Sequence, residues 1–183
     1  FDRGITAGYE GRNTQVLNNR VENVLSNGIA VWGHDARVVN NRVSNILPDT
    51  AYQVVGISLF PFSPEVSATG QEAINNTIAG LTADYMLVGL MISGSTNPRL
   101  VNNHVLDLRR RTDTNAIGIW FTGWAQGAST TGGQLINNAL MMREPGVSGL
   151  SGQPALCKGN TSVGITVSGF ESCLVHADNT TIQ

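Results

Sequence analysis

Short apolar segments recur along the whole chain, and they are separated by turn residues instead of following the period of a helix. One segment begins with glycine followed by isoleucine or leucine, at 28–31, 56–59, 89–92, 118–121 and 164–167, with an eroded copy at 4–7. In the copy at 28–31, Ile29 and Val31 alternate with Ala30 and Trp32. This alternation predicts a strand that buries Ile29 and Val31 on one face and turns Ala30 and Trp32 to the other.

A doubled asparagine recurs between these segments. It occurs at Asn18-Asn19, Asn40-Asn41, Asn75-Asn76, Asn102-Asn103 and Asn137-Asn138, with degenerate copies at Gly159-Asn160 and Asp178-Asn179. Measured at the second asparagine, the spacings are 22, 35, 27, 35, 22 and 19 residues. Apolar residues lie just before each pair and two positions after it, so each pair marks a turn between two short strands. The scatter in spacing indicates a unit of about 20 residues that carries loops of variable length.

Three short strands per unit, without helical periodicity, predict a coil in which each strand pairs with its counterpart one turn away. The predicted fold is an all-β parallel solenoid of about seven coils, roughly 34 Å long at the usual strand spacing. The second asparagines would then stack and pass amide hydrogen bonds along the coil as an Asn ladder. When the repeats are aligned, the position four residues before the second asparagine carries Arg37, Glu72 and Arg99 in three successive repeats. This alternating charge predicts ion pairs between adjacent strands on a solvated sheet.

Residues 1–183 are predicted to form one domain, and both ends are expected to lie within a coil of a longer chain. Uncapped coil ends expose strand edges. A homotrimer, or the rest of the parent chain, is therefore expected to cover them.

The composition and charge of the chain argue against several classes of binding partner. The chain carries 11 basic and 13 acidic residues, a formal net charge of −2, and only 13% charged residues. No cationic surface is predicted, so nucleic acid is not an expected partner. The apolar runs are too short for a membrane span. The three histidines have no ligand spacing, so no zinc site and no cofactor are predicted, while Ca²⁺ is left open.

The Asn pairs with their apolar flanks and the glycine-led strands resemble the right-handed parallel β-helix proteins of the pectate-lyase-like group, over nearly the whole chain. The resemblance implies a right-handed β-helix whose Asn ladder lies at the turn between the second and third strands, with rungs at residues 19, 41, 76, 103, 138, 160 and 179. It also implies a groove along the first strand of each coil and its adjoining loops. Such a fold serves lyases, epimerases, hydrolases, tailspikes and non-catalytic surface proteins, so it does not decide the function.

The loops that lead into the glycine-led strands should emerge at one corner, and they carry carboxylates, phenols and guanidinium groups. An acidic glycan needs these groups, because arginine pairs with uronate carboxylates and Asp or Tyr can move a proton. The catalytic candidates are Asp84, Tyr85, Arg109, Arg111 and Asp113. The substrate-binding candidates are Trp32, Tyr52, Trp120, Trp124, Arg110, Arg143 and Glu144. A solvated polar loop explains the same residues without chemistry, and that alternative stays open.

Aromatic rings recur just after the glycine-led strand, among them His34, Phe62, Trp124 and Phe170. This column predicts either an outward platform for sugar rings or an internal stack that fills a corner. Trp32 and Trp120 fall on the outward phase of their strands, where an exposed tryptophan usually meets a partner.

Two functions remain from different classes. The first is a polysaccharide-processing enzyme, by elimination, epimerisation or hydrolysis of an acidic glycan. The second is a non-catalytic glycan-binding or structural segment of a tailspike or surface adhesin, which is favoured by the lack of carboxylates at outward strand positions. Either implies a secreted, cell-surface or virion-associated protein.

Two smaller motifs leave open questions. Cys157 and Cys173 fall on consecutive turns in registers that disagree, so a disulfide is not decided by the sequence. Asn75, Asn160 and Asn179 begin glycosylation triplets, but all three belong to the turn of the predicted ladder, and glycans are not expected there.

Overall fold

The computed structural model describes residues 3–8, 11–47, 53–63, 65–112, 115–124, 127–143, 147–165 and 169–182. These residues form short strands and a single turn of 3₁₀ helix at Phe170–Ser172. Strands β1 to β24 are, in chain order, Arg3–Ala7, Gln15–Leu17, Arg20–Glu22, Asn27–Trp32, Arg37–Val39, Arg42–Ser44, Gln53–Phe60, Ala68–Thr69, Glu72–Ile74, Thr77–Ala79, Thr82–Ala83, Met86–Ser93, Ser95–Thr96, Arg99–Val101, His104–Leu106, Arg109–Arg110, Asn115–Thr122, Gln134–Ile136, Ala139–Met141, Ser148–Ser151, Leu156–Lys158, Thr161–Val163, Val175–Ala177 and Thr180–Ile182.

The strands form three large parallel sheets whose spatial order follows the chain order. Sheet I contains β1, β4, β7, β12, β17 and β20. Sheet II contains β2, β5, β9, β14, β18, β21 and β23. Sheet III contains β3, β6, β10, β15, β19, β22 and β24. Two small parallel sheets pair β8 with β13 and β11 with β16. Each strand thus pairs with the equivalent strand of the next repeat, so the predicted all-β parallel architecture is confirmed and is consistent with a β-helix.

One hydrophobic core lies between the three large sheets. The middle residue of most short strands in sheets II and III points into it, as Val38 and Val43 do, whereas β23 and β24 are exposed throughout. Ile29 and Val31 of sheet I belong to the same core, whereas Ala30 and Trp32 lie in a separate apolar cluster on the other face. The predicted alternation in this strand is therefore confirmed.

The glycine that begins each sheet I segment faces the side chains of sheet III. A Cβ added at Gly28 would overlap Val43, and one added at Gly89 would overlap Val105. Each would also meet the carbonyl oxygen of the equivalent glycine in the next strand. The repeated glycine is therefore required by close packing between sheets I and III.

The second asparagines of the pairs lie in one row at the turn between sheets II and III. The side-chain oxygen of Asn76 accepts hydrogen bonds from the backbone nitrogen and Nδ2 of Asn41, at 3.0 and 3.1 Å. Asn103 accepts from Asn76 in the same way, at 3.1 and 2.9 Å. Asn103 Nδ2 also donates to the carbonyl oxygen of Ala73 at 2.8 Å. These contacts satisfy polar groups that the turn would otherwise bury without partners.

The column of alternating charge on sheet II forms ion pairs. Glu72 lies between Arg37 and Arg99, with nitrogen-to-oxygen distances of 3.0 and 2.9 Å. The predicted cross-strand pairing is therefore confirmed at this site.

A disulfide joins Cys157, in the middle of β21, to Cys173, just after the 3₁₀ helix. Phe170 of this helix is buried in the core, so the bond ties the helix to the end of the stack. In the described part of the chain, no helix has the length and apolar character needed to cross a membrane.

Candidate functional site

The outward face of sheet I carries a second apolar cluster, which is distinct from the core. Its buried members are Ala30, Val55, Phe60, Val88 and Met91. Trp32, Met86, Trp120 and Trp124 are partly buried and pack against them. We call these nine residues the outer cluster. Its five buried members are at most 6% exposed, so a partner would contact mainly the four partly buried side chains.

Strand register and one loop bring the aromatic rings of the outer cluster together. Trp32 and Phe60 are direct partners in β4 and β7, and their rings stack with centroids 5.1 Å apart at an interplanar angle of 25°. Trp124 comes from the loop after β17, and its ring lies 4.8 Å from Phe60 at 59°.

Gly94 allows this loop to approach the sheet. A Cβ added at Gly94 would lie 2.9 Å from Pro61, 3.0 Å from Ala128 and 3.1 Å from Trp124. The backbone of Gly94 also has a positive φ of 60°. A larger residue would therefore strain the backbone and crowd Pro61, Ala128 and Trp124.

A cleft of about 570 Å³ opens beside this aromatic group on the outward face of sheet I. Its lining residues are Arg3, Ser26, Asn27, Gln53, Val55, Phe60, Met91 and Trp124. We call it the aromatic cleft. Its volume is within the range of small-ligand sites in proteins.

The aromatic cleft has a polar part and an apolar part. Arg3 and Asn27 are direct partners in β1 and β4, so they lie side by side at its polar part together with Gln53. Phe60, Met91 and Trp124 supply the apolar part. An aromatic face can stack on the apolar face of a sugar, amides can donate to and accept from hydroxyls, and a guanidinium can pair with a carboxylate.

Among the predicted catalytic residues, Asp84, Arg109 and Arg111 form ion pairs. Arg111 lies 3.5 Å from Asp84, measured from Nη1 to Oδ2. Asp107 pairs with Arg109 at 2.8 Å and with Arg143 at 3.9 Å. These contacts hold the loop segments together, as expected for the alternative of a solvated polar loop.

The other predicted loop residues are either exposed, paired in a small sheet, or outside the described part of the chain. The ring of Tyr85 is 68% exposed. Arg109 and Arg110 pair in register with Thr82 and Ala83 in the small sheet of β11 and β16. Tyr52, Asp113 and Glu144 lie outside the described residues.

The predicted tryptophans do meet on one surface. Trp32, Trp120 and Trp124 all belong to the outer cluster, and Trp124 also lines the aromatic cleft. The loop with Asp84 and Tyr85 leads directly into Met86, another member of the cluster. The aromatic surface and the polar loop are therefore neighbours along the chain.

The predicted aromatic column at one corner does not form a single stack among the described residues. Phe170 is buried in the core, Phe62 is 47% exposed, and Trp124 turns to the outer cluster. His34 instead bonds Thr69 through Nδ1 at 3.1 Å. These rings lie in different local structures, because Phe170 begins a 3₁₀ helix whereas Phe62 and Trp124 lie in the loops that follow β7 and β17.

Several cleft residues were missed from the sequence. Phe60 lies two positions after Ser58, so alternation within the strand places both side chains on the outward face. The outward position of Phe60 was therefore predictable from the sequence. The sequence did not predict that Arg3, Asn27 and Gln53 line one cleft. Their proximity depends on the register between strands that are joined by loops of unequal length.

Comparison of the chain with protein-family models, with curated proteins and with solved structures finds no match. Among the described residues, no group of three or more His, Cys, Asp or Glu side chains is placed to hold a metal ion. The chemistry of the aromatic cleft is therefore what points to a function.

Proposed function

We propose that this chain is a glycan-binding, right-handed parallel β-helix of about seven coils, stabilised by an Asn ladder. The order of strands in the three sheets and the hydrogen bonds along the asparagine row support the architecture. The disulfide supports a location outside the reducing cytosol, in a secreted, cell-surface or virion-associated protein.

The aromatic cleft carries the functional proposal. It combines two ring faces, two amides and one guanidinium in a space that fits a short oligosaccharide segment. The rings of Trp124 and Phe60 would stack on sugars. Arg3 would pair with a carboxylate, which makes an acidic glycan a better ligand than a neutral one. The cleft is built from binding groups, so it favours the binding function over the catalytic one.

Titration calorimetry with oligosaccharides of uronic acids and with neutral oligosaccharides of equal length tests this proposal. Trp124→Ala should weaken binding of both sets by about tenfold or more, as expected when a central aromatic contact is lost. Phe62→Ala is its control, because this ring is exposed and does not line the cleft. Binding that survives Trp124→Ala unchanged would contradict the site.

The charge preference is tested separately. Arg3→Gln should reduce binding of the uronic-acid oligosaccharides while leaving the neutral ones nearly unchanged. Arg42→Gln, on the outward face of sheet III, is the matched control for the net charge. An equal loss in Arg3→Gln and Arg42→Gln would indicate only long-range attraction.

Polysaccharide processing remains a second candidate, because the exposed phenol of Tyr85 follows Asp84 directly in the chain and Asp84 lies close to Arg111. In that case Arg111 would neutralise a uronate, and Asp84 or Tyr85 would move the proton. Acidic polysaccharides incubated with the protein would then yield unsaturated products that absorb in the ultraviolet, or new reducing ends. Turnover that is unchanged in both Asp84→Asn and Arg111→Ala would remove these residues from the mechanism.

A further inference from the structure

Three asparagines begin the triplet Asn-x-Ser/Thr, and the structure places them in different surroundings. They are Asn75, Asn160 and Asn179. A glycan is bulky and must extend into solvent, so only an asparagine with an accessible Nδ2 can carry one in the folded protein.

The side-chain amide of Asn160 makes all of its hydrogen bonds within the protein. This residue is fully buried, and its Nδ2 donates to Leu135 O at 3.0 Å and to Asn179 Oδ1 at 2.9 Å. Its Oδ1 accepts from Asn138 Nδ2 at 3.0 Å. A sugar on Nδ2 would break this row and would have no space.

Asn179 belongs to the same row. Its Oδ1 accepts from the backbone nitrogen of Asn160 at 2.9 Å, and its Nδ2 donates to Cys157 O at 3.0 Å. A glycan here would displace the hydrogen bonds that join the Asn179 side chain to Asn160 and Cys157.

Asn75 is the first residue of its pair, and the row of buried amides runs through Asn76 instead. The Asn75 side chain is exposed, and within the described part of the chain its amide makes no hydrogen bond. Its backbone is fixed with a φ of 55°, and its N–H donates to Val101 O at 2.9 Å. Asn75 therefore lies in the turn, as the sequence predicts, but its side-chain amide is not part of the buried row.

We propose that Asn75 is an N-glycosylation site of this protein and that Asn160 and Asn179 are not. Nδ2 of Asn75 attacks the anomeric carbon of an oligosaccharide linked to a polyprenyl diphosphate. A carbon–nitrogen bond forms, the carbon–oxygen bond to the diphosphate breaks, and the amide loses one proton to the transferase. This chemistry occurs in compartments that also form disulfides, such as the one between Cys157 and Cys173.

The position of Asn75 makes the modification compatible with a site on sheet I. Asn75 lies at the corner between β9 of sheet II and β10 of sheet III, whereas the aromatic cleft opens on the outward face of sheet I. A glycan at this corner leaves the cleft accessible. The glycosylation proposal therefore stands or fails independently of the proposed glycan binding.

Secretion of the full chain from a eukaryotic cell line, behind a secretion leader, tests the proposal. Intact mass and peptide mapping of the secreted protein, before and after removal of N-glycans by amidase, report the occupied sites. We expect one glycan, on Asn75. Thr77→Val should reduce it to none without touching the turn residue itself, and a circular dichroism spectrum like that of the wild type will show that the fold is retained.

Three further variants serve as matched controls. Ser162→Ala and Thr181→Val remove the other two triplets and should leave the single glycan in place. Ala139→Thr places a triplet at Asn137, which is exposed at the same corner with a φ of 54°, and should add a second glycan. Secreted protein without a glycan on Asn75, or with one on Asn160, overturns the proposal.

Discussion

The two asparagines of each pair serve different physical needs. The first has a positive φ, from 54° to 57° in the five full pairs, a conformation that Gly, Asn and Asp tolerate best. The degenerate copies carry Gly159 and Asp178 at this position, both with positive φ. The second residue stays asparagine in every copy, because its side-chain amide must both donate and accept. The sequence predicted the turn but did not separate these two roles.

Substitutions in a single asparagine pair can distinguish the role of the first residue from that of the second. Asn103→Ala should lower the free energy of unfolding by about 3–5 kcal/mol, because it removes the side-chain hydrogen bonds that Asn103 makes with buried groups of Asn76, Ala73 and Asn138. Asn102→Gly should change it by less than about 1 kcal/mol, because glycine adopts the positive φ of this position. Guanidinium unfolding followed by tryptophan fluorescence measures both. Equal effects at the two positions would contradict the division of roles.

At the scale of elements, strand phase was predictable and contact across loops was not. The outward orientation of Trp32 and Trp120 follows from the alternation within each strand, and both residues belong to the outer cluster. The approach of Trp124 to Phe60 depends on the path of a loop, which no periodicity describes. The same reason explains the disulfide, since the 3₁₀ helix at Phe170–Ser172 changes the residue count that a register argument needs.

The disulfide should stabilise the last elements of the stack. It closes a loop with a sequence separation of 16 residues, for which loss of chain entropy in the unfolded state predicts about 3 kcal/mol. The double variant Cys157→Ala and Cys173→Ala should therefore unfold at a lower guanidinium concentration than the wild type. Wild-type protein treated with reductant should shift in the same direction, and reductant should not affect the double variant. Identical midpoints in all samples would show that the bond contributes nothing to stability.

At the scale of the whole molecule, the repeat made the all-β architecture of parallel strands predictable. Each strand meets its equivalent in the next repeat, so a pattern along the sequence becomes a pattern of neighbours in space. Variable loops do not disturb this, because they leave the strands in register. The candidate site was predictable only in part, since the aromatic cleft combines regular strand positions with the irregular loop of Trp124.

A stack whose units contact only their neighbours should also be most stable where both neighbours are present. Nearly every residue of β7 and β12 is buried, whereas all residues of β23 and β24 are exposed. Hydrogen exchange read by mass spectrometry should therefore be slow in Gln53–Phe60 and Met86–Ser93 and fast in Val175–Ala177 and Thr180–Ile182. In the double cysteine variant the fast region should extend to β20 and β21, because the 3₁₀ helix contacts β20 and is held to β21 by the disulfide. Uniform protection along the chain would mean that the stack unfolds as one cooperative unit, and the prediction of a stable centre with weaker ends would then be wrong.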